Sequence, residues 1–139
     1  LFQESWKKTL GIDIQLENTE FIVALNRLVN KDYDLSHGKW TYQYHDPLNF
    51  LERYKYKTDR KNLTGWESDR FITLLDASMQ CKKPKDRKAI IARAEELLMN
   101  EVPMTPIFHW NATYLINPRL KGVYISPIGF THLDRAYFE

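Results

Sequence analysis

Leu10-Gly11-Ile12-Asp13-Ile14-Gln15-Leu16-Glu17-Asn18, a helix-like run after it, and then Tyr33-Asp34-Leu35 through to Trp40 decide how this chain is read. Gly11 suits the left-handed residue that closes a helix, because glycine takes that conformation without a Cβ clash. Ile12, Ile14 and Leu16 then alternate with Asp13, Gln15 and Glu17, the period of a strand with one face more buried than the other. Asn18 or Thr19 is placed to cap the next helix, where Phe21, Ile22, Leu25, Leu28 and Val29 recur at helical spacing. Lys31-Asp32 turns the chain into a second strand, Tyr33 to about Gly38. A strand, crossover helix and strand of this size make a βαβ unit, so the predicted class is α/β: a βαβ core with a mixed sheet and flanking helices.

The second strand runs into an aromatic, polar loop, Trp40-Thr41-Tyr42-Gln43-Tyr44-His45-Asp46-Pro47. Ligands of open α/β folds bind in the crevice outside the carboxyl ends of the strands, which places the function at this loop. Trp40, Tyr42 and Tyr44 fall at alternating positions and make either a stacking surface for a ligand or a packed interface. Gln43 is expected to face the ligand. His37, near a strand end, is either a ligand contact or a hydrogen-bonded structural residue.

Further along, Asp46-Pro47 starts a short helix with Leu48, Phe50, Leu51 and Tyr54 as its apolar contacts, and Lys55 to Thr64 reads as a polar surface loop. Ser68 caps a helix through Cys81 whose inward side carries Phe71, Ile72, Leu74, Leu75 and Ser78. Pro84 suits the first turn of the next helix, since the N–H it lacks would be unpaired there anyway. That helix runs to about Asn100, with Ile90, Ile91, Ala94, Leu97 and Leu98 inward. The prolines of Val102-Pro103-Met104-Thr105-Pro106 force extended geometry, a strand follows over roughly Ile107 to Ile116, and the tail holds a short strand at Val123-Tyr124-Ile125.

The 139 residues, 43% of them hydrophobic and 27% charged, are enough for one domain with a core, taken here as a single lobe over 1–139. A net charge of +2, spread evenly, gives no bulk attraction to nucleic acid or a membrane. No apolar stretch reaches the length needed to span a bilayer, and the first residues lack the zones of a secretory signal. The sequence opens inside an amphipathic helix with no cap before it. The single cysteine, Cys81, reads as a small buried hydrophobe.

Catalytic patterns are missing: there is no G-x-S-x-G, no glycine-rich phosphate loop and no nucleophile, base and orienter to name, so no enzyme and no cofactor are predicted. His45-Asp46 invites an acid/base or metal reading, but adjacent side chains of extended backbone point apart, and the four histidines lack ligand spacing, so no metal site is predicted. Arg53-Tyr54-Lys55-Tyr56-Lys57 and Arg60-Lys61 interleave cations with rings. That pattern supports an alternative, a small nucleic-acid-binding or adaptor module, against the simpler reading of a solvated loop or a docking rim. Asn62-Leu63-Thr64 and Asn111-Ala112-Thr113 fit the glycosylation pattern, which short sequences meet by chance.

Taken in order, SWKKTLGIDIQLEN, Tyr33-Asp34-Leu35, Gly38-Lys39-Trp40 to Leu51, SDRFITLLDAS and RAEELLMNEVPMTPIFHWNATYLINPRL resemble the C-terminal lobe of the extracytoplasmic receptors of oligopeptide ABC transporters. That family also includes dipeptide and nickel receptors. The resemblance runs over nearly all of the chain and implies one lobe of a periplasmic-binding-protein-like II fold, lacking the first lobe, the hinge and a strand before the opening helix. It implies a peptide ligand held between two lobes, an ABC transporter permease as partner, and a periplasmic or other extracytoplasmic location, with or without a membrane anchor. Without the other lobe and that strand, marginal stability or self-association is expected. In oligopeptide-specific members a Trp is followed three residues later by an Asp that pairs with the peptide ammonium. Here Trp40 is kept and Gln43 stands in place of the Asp, while His37 stands where some members carry an Arg. An amide cannot neutralise an ammonium as a carboxylate does, so amine recognition is expected to be weaker or to use another acid. Asp46 could substitute only if the loop folds back.

Overall fold

Local sequence accounts for most of the helix boundaries. In the computed structural model, which describes residues 1–109, 111, 113–127 and 129–139, the contacts divide the chain into two units, Leu1–Ser36 and His37–Glu139.

In the first unit, α1 (Phe2–Leu10) ends at Gly11, whose φ of 70° is the left-handed conformation its position predicts. The Gly11 and Ile12 N–H groups donate back to the Lys7 and Trp6 carbonyls, so the last turn leaves fewer orphan acceptors. Helix α2 (Phe21–Asn30) is capped by Glu20 rather than by Asn18 or Thr19. The Glu20 carboxylate accepts from the N–H groups of Ile22 at 2.9 Å and Val23 at 3.3 Å, a charged acceptor at the positive end of the helix. Arg27 then ties the helix to the chain on both sides through Glu17 and Asp32. The predicted strands at 12–16 and 33–38 take part in no ladder among the described residues. Alternation sets which side chains share a face, but a strand also needs a neighbouring strand to pair with, and among the described residues neither segment is in such a pair. No residue of α1 or α2 is buried.

The second unit carries the core. The short helix α3 (Leu48–Leu51) passes into a 3-10 turn, Glu52–Tyr54, and is followed by α4 (Asp69–Gln80) and α5 (Pro84–Glu101). Helix α4 packs on α5, and the buried set is Leu48, Leu51 and Tyr54 from the first element, Phe71, Leu74 and Leu75 from α4, and Ile91, Ala94 and Leu98 from α5. Each large side chain in that set stabilises the unit by about 1.5–3 kcal/mol relative to exposure. Pro84 sits in the first turn of α5 as expected. Ser68 precedes α4 in extended conformation, but its side chain caps nothing, and Cys81 lies past the helix end, half-buried, with its thiol 3.6 Å from the Lys83 carbonyl.

The loop after Tyr54 is more ordered than its polar composition suggests. Asn62, 2% exposed, donates to the carbonyls of Tyr56 (3.1 Å) and Trp66 (2.8 Å) and accepts from the Thr64 hydroxyl (2.9 Å) and the Gly65 N–H (3.2 Å). Its amide is fully used in holding the loop, so the Asn62-Leu63-Thr64 glycosylation pattern has no accessible acceptor nitrogen. The second such pattern includes Ala112, which lies outside the described residues.

The described part of 107–116 joins no ladder either; Trp110 and Ala112 lie outside the described residues. The strands are in the tail. β1 (Leu120–Lys121) pairs antiparallel with β4 (Tyr137–Phe138), and inside that pair β2 (Tyr124–Ile125) meets β3 (Thr131–His132). Gly122 has a φ of 74°, and a Cβ there would lie 2.0 Å from the Arg135 carbonyl oxygen, so the approach of the two arms requires glycine. The class is therefore mixed α/β, with strand pairs at a different place from the predicted βαβ unit.

Candidate functional site

Asp46 organises the loop that follows Trp40. Its carbonyl and carboxylate accept from the Asn49 N–H (3.0 Å) and the Leu48 N–H (2.9 Å), which starts α3, and its Oδ2 lies 2.8 Å from the guanidinium of Arg87 on α5. The Arg87 hydrogen bond, helped by the Leu48 N–H, holds the Asp46 carboxyl below its ordinary value against the opposing effect of burial. Asp46 is thus a structural anchor, already neutralised. It is neither the acid partner of exposed His45 nor a substitute acid for a ligand ammonium. Among the described residues no three His, Cys, Asp or Glu side chains gather as a metal site.

Buried Asn49 folds the loop onto the helix, its Oδ1 accepting from the Gln43 N–H at 3.0 Å. The Tyr44 hydroxyl donates to Glu52 at 3.3 Å. Desolvation, then the Glu52 charge, raises the pKa of this phenol. The result is a cleft of about 110 Å³ lined by Trp40, Gln43 and Tyr44 of the loop, by Asn49, Glu52 and Arg53 of the helical segment, and by Asp59 and Lys61. Three of the five predicted ligand residues therefore meet at one cleft. Tyr42 and His37 do not line it, and both are exposed.

Arg53, part of the cationic stripe in sequence, belongs to this cleft. Its guanidinium lies over the Trp40 ring, 3.8 Å from the centroid, and donates to the Lys61 carbonyl at 3.1 Å. Burial pushes its pKa below the ordinary value. Neither the Arg53 Nε nor the Trp40 Nε1, both buried, has a hydrogen-bond partner. The neighbouring cations are also engaged, Lys55 by Asp76 of α4 and Lys57 by Glu67 at 3.8 Å. Lys55 and Lys57 thus already face carboxylates of the chain, which leaves less of the stripe's charge for a phosphate backbone; the proteins this chain resembles, given below, do not support the nucleic-acid alternative. A signal for the cleft was present: Asn49, Glu52 and Arg53 stand three and four residues apart, which puts them on one face of the helix begun at Asp46.

The chain is 35% identical over 137 residues to the oligopeptide-binding protein OppA of Bacillus subtilis, a match covering 99% of this chain and 25% of OppA. It is 31% identical over 134 residues to the dipeptide-binding protein DppE of the same organism, covering 96% of this chain and 24% of DppE. Among solved structures it superposes on the pheromone receptor PrgZ with a TM-score of 0.82 at 26% identity, over 99% of this chain and 26% of that receptor. Over nearly its whole length the chain is similar to these solute-binding proteins. It spans about a quarter of the length of the relatives it matches, the extent expected of part of a C-terminal lobe. No protein-family model matches it. The likeness to solved solute-binding proteins accounts for the mixed α/β class. Among the described residues, no helix is long and apolar enough to cross a membrane.

Proposed function

We propose that this chain forms part of one jaw of an extracytoplasmic receptor that captures a peptide and delivers it to an ABC transporter permease. The observation that carries the reading is a cleft walled by Trp40, Gln43 and Tyr44 in a chain that shares 35% identity with an oligopeptide-binding protein. The mechanism is capture without chemistry: a ligand touching both lobes shifts an open/closed equilibrium toward closed, by as much as its contacts differ between the two states. Trp40 packs against the peptide, Gln43 hydrogen-bonds its N-terminal region, and Tyr44 is held in place by Glu52. His37 and Tyr42, exposed on the same segment, are secondary contacts made as the lobes close.

The two-lobed receptor that carries this chain should bind short peptides in calorimetry, and Trp40→Ala should weaken that binding about tenfold or more. This chain alone, with half of the contacts and none of the enclosure, should bind them far more weakly. Binding by the isolated chain as tight as by the two-lobed receptor would overturn shared capture, and an unchanged affinity in Trp40→Ala would remove the cleft from the mechanism.

A further inference from the structure

The cleft holds an imbalance of hydrogen-bonding groups that the family reading does not explain. Glu52 is occupied by the Tyr44 hydroxyl, and Asp59 accepts from the Lys61 N–H at 2.8 Å. The formal charges of Glu52 and Asp59 cancel those of Arg53 and Lys61, so net charge does not select the ligand. Unpaired groups do. The two buried polar atoms without partners, Arg53 Nε and Trp40 Nε1, are both donors, and they sit on the two members of one stack. Among the described residues no carboxylate lies within ion-pair distance of Arg53. The Asp59 charge acts on Arg53 only from beyond ion-pair distance, and a partly desolvated guanidinium without a full set of acceptors is costly unless something else supplies them.

We infer that Arg53, held over Trp40, makes this cleft a site for a ligand carboxylate, and that Arg53 is the residue that sets this preference. The inference rests on the peptide-receptor reading and names the ligand group that the cleft takes. A carboxylate provides two charged acceptors that match the fork of a guanidinium and can also accept from an indole N–H. Gln43, where the resemblance implies an acid, fits the same view, because an acid there would repel the incoming carboxylate. Both unpaired N–H groups are closed to water as the chain stands. Binding therefore requires the guanidinium to slide along the indole as the carboxylate enters, a movement within the rotamer freedom of arginine. With Gln43 at the peptide's N-terminal region, the carboxylate is that of an acidic side chain near that end, and a peptide C-terminus seated here instead would reverse that orientation.

The test is calorimetry on the two-lobed receptor with tetra-alanine, tetra-alanine amide and Glu-Ala-Ala-Ala amide. At least one carboxylate-bearing form should bind about tenfold or more tighter than tetra-alanine amide, and which one does so identifies the source. Arg53→Gln should erase the difference, while Arg53→Lys, which keeps the charge and loses the planar fork, should keep part of it. Because each variant is compared with itself across ligands, a loss of folded protein does not imitate the result. Equal binding of all three peptides, or a preference that survives Arg53→Gln, overturns the inference and leaves the receptor reading standing. Binding of none of the three overturns both.

Discussion

Helix α2 in the first unit and helix α4 in the second carry the same kind of amphipathic repeat, yet only α4 buries its apolar stripe. Phe21, Ile22, Val23 and Leu25 are between 42% and 75% exposed, whereas Phe71 and Leu75 are at 0%. Both helices form because the repeat and the caps are local. Burial differs because α4 meets α5 and the Leu48–Tyr54 segment, while α2 is covered only in part, with Leu28 and Val29 half-buried and no residue fully buried. An amphipathic pattern therefore specifies a helix and the face it offers, and leaves the cover to be supplied from elsewhere. Solute-binding relatives four times longer have chain to spare for such a cover.

The largest expected effect tests that contrast directly. Leu75→Ala should cost about 3 kcal/mol in urea unfolding, while Leu25→Ala should cost less than about 0.5 kcal/mol. Equal costs would mean that the first unit is as well covered as the second. Gly122→Ala asks whether the tail shares the order of the core: with φ at 74° and the Arg135 carbonyl in the way, roughly 2 kcal/mol should be lost, visible as faster amide exchange in β1 to β4.

A smaller effect concerns the anchor between the cleft loop and α5. The folded pKa of Asp46 lies below its unfolded value, so its stabilisation is complete above the ordinary aspartate value of about 4 and is lost as pH falls through the lowered folded value. Asp46→Asn should cost roughly 1 kcal/mol at neutral pH, and the gap to the native protein should close on acidification below about pH 4. A gap independent of pH would show that the Arg87 pairing contributes little. The smallest effect belongs to the less covered unit. Glu20→Ala should cost α2 about 0.5 kcal/mol, read as faster exchange of the Ile22 and Val23 amides with no change in α4 or α5.

The short-range features were legible in the amino-acid order: α1 with its glycine stop, α4, α5 with its leading proline, and Trp40, Gln43 and Tyr44 on one loop. Torsional preference and repeat period act within a few residues, so they can be read without knowing where the chain returns. The Glu20 cap was missed because two better-known capping residues precede it, and Arg53 was read as part of a surface stripe because its partner ring lies on the far side of a helix start. Tertiary structure alone decided that Arg53 stacks on Trp40, that Asp46 belongs to Arg87 forty-one positions away, and that Asn62 is buried rather than displayed. It also decided the pairing in the tail, where the short strand expected at Val123-Tyr124-Ile125 is present as β2 and its partner at Thr131–His132 was not expected. Each of these is a pairing between distant positions, and pairings depend on how the chain comes back on itself, which periodicity does not encode.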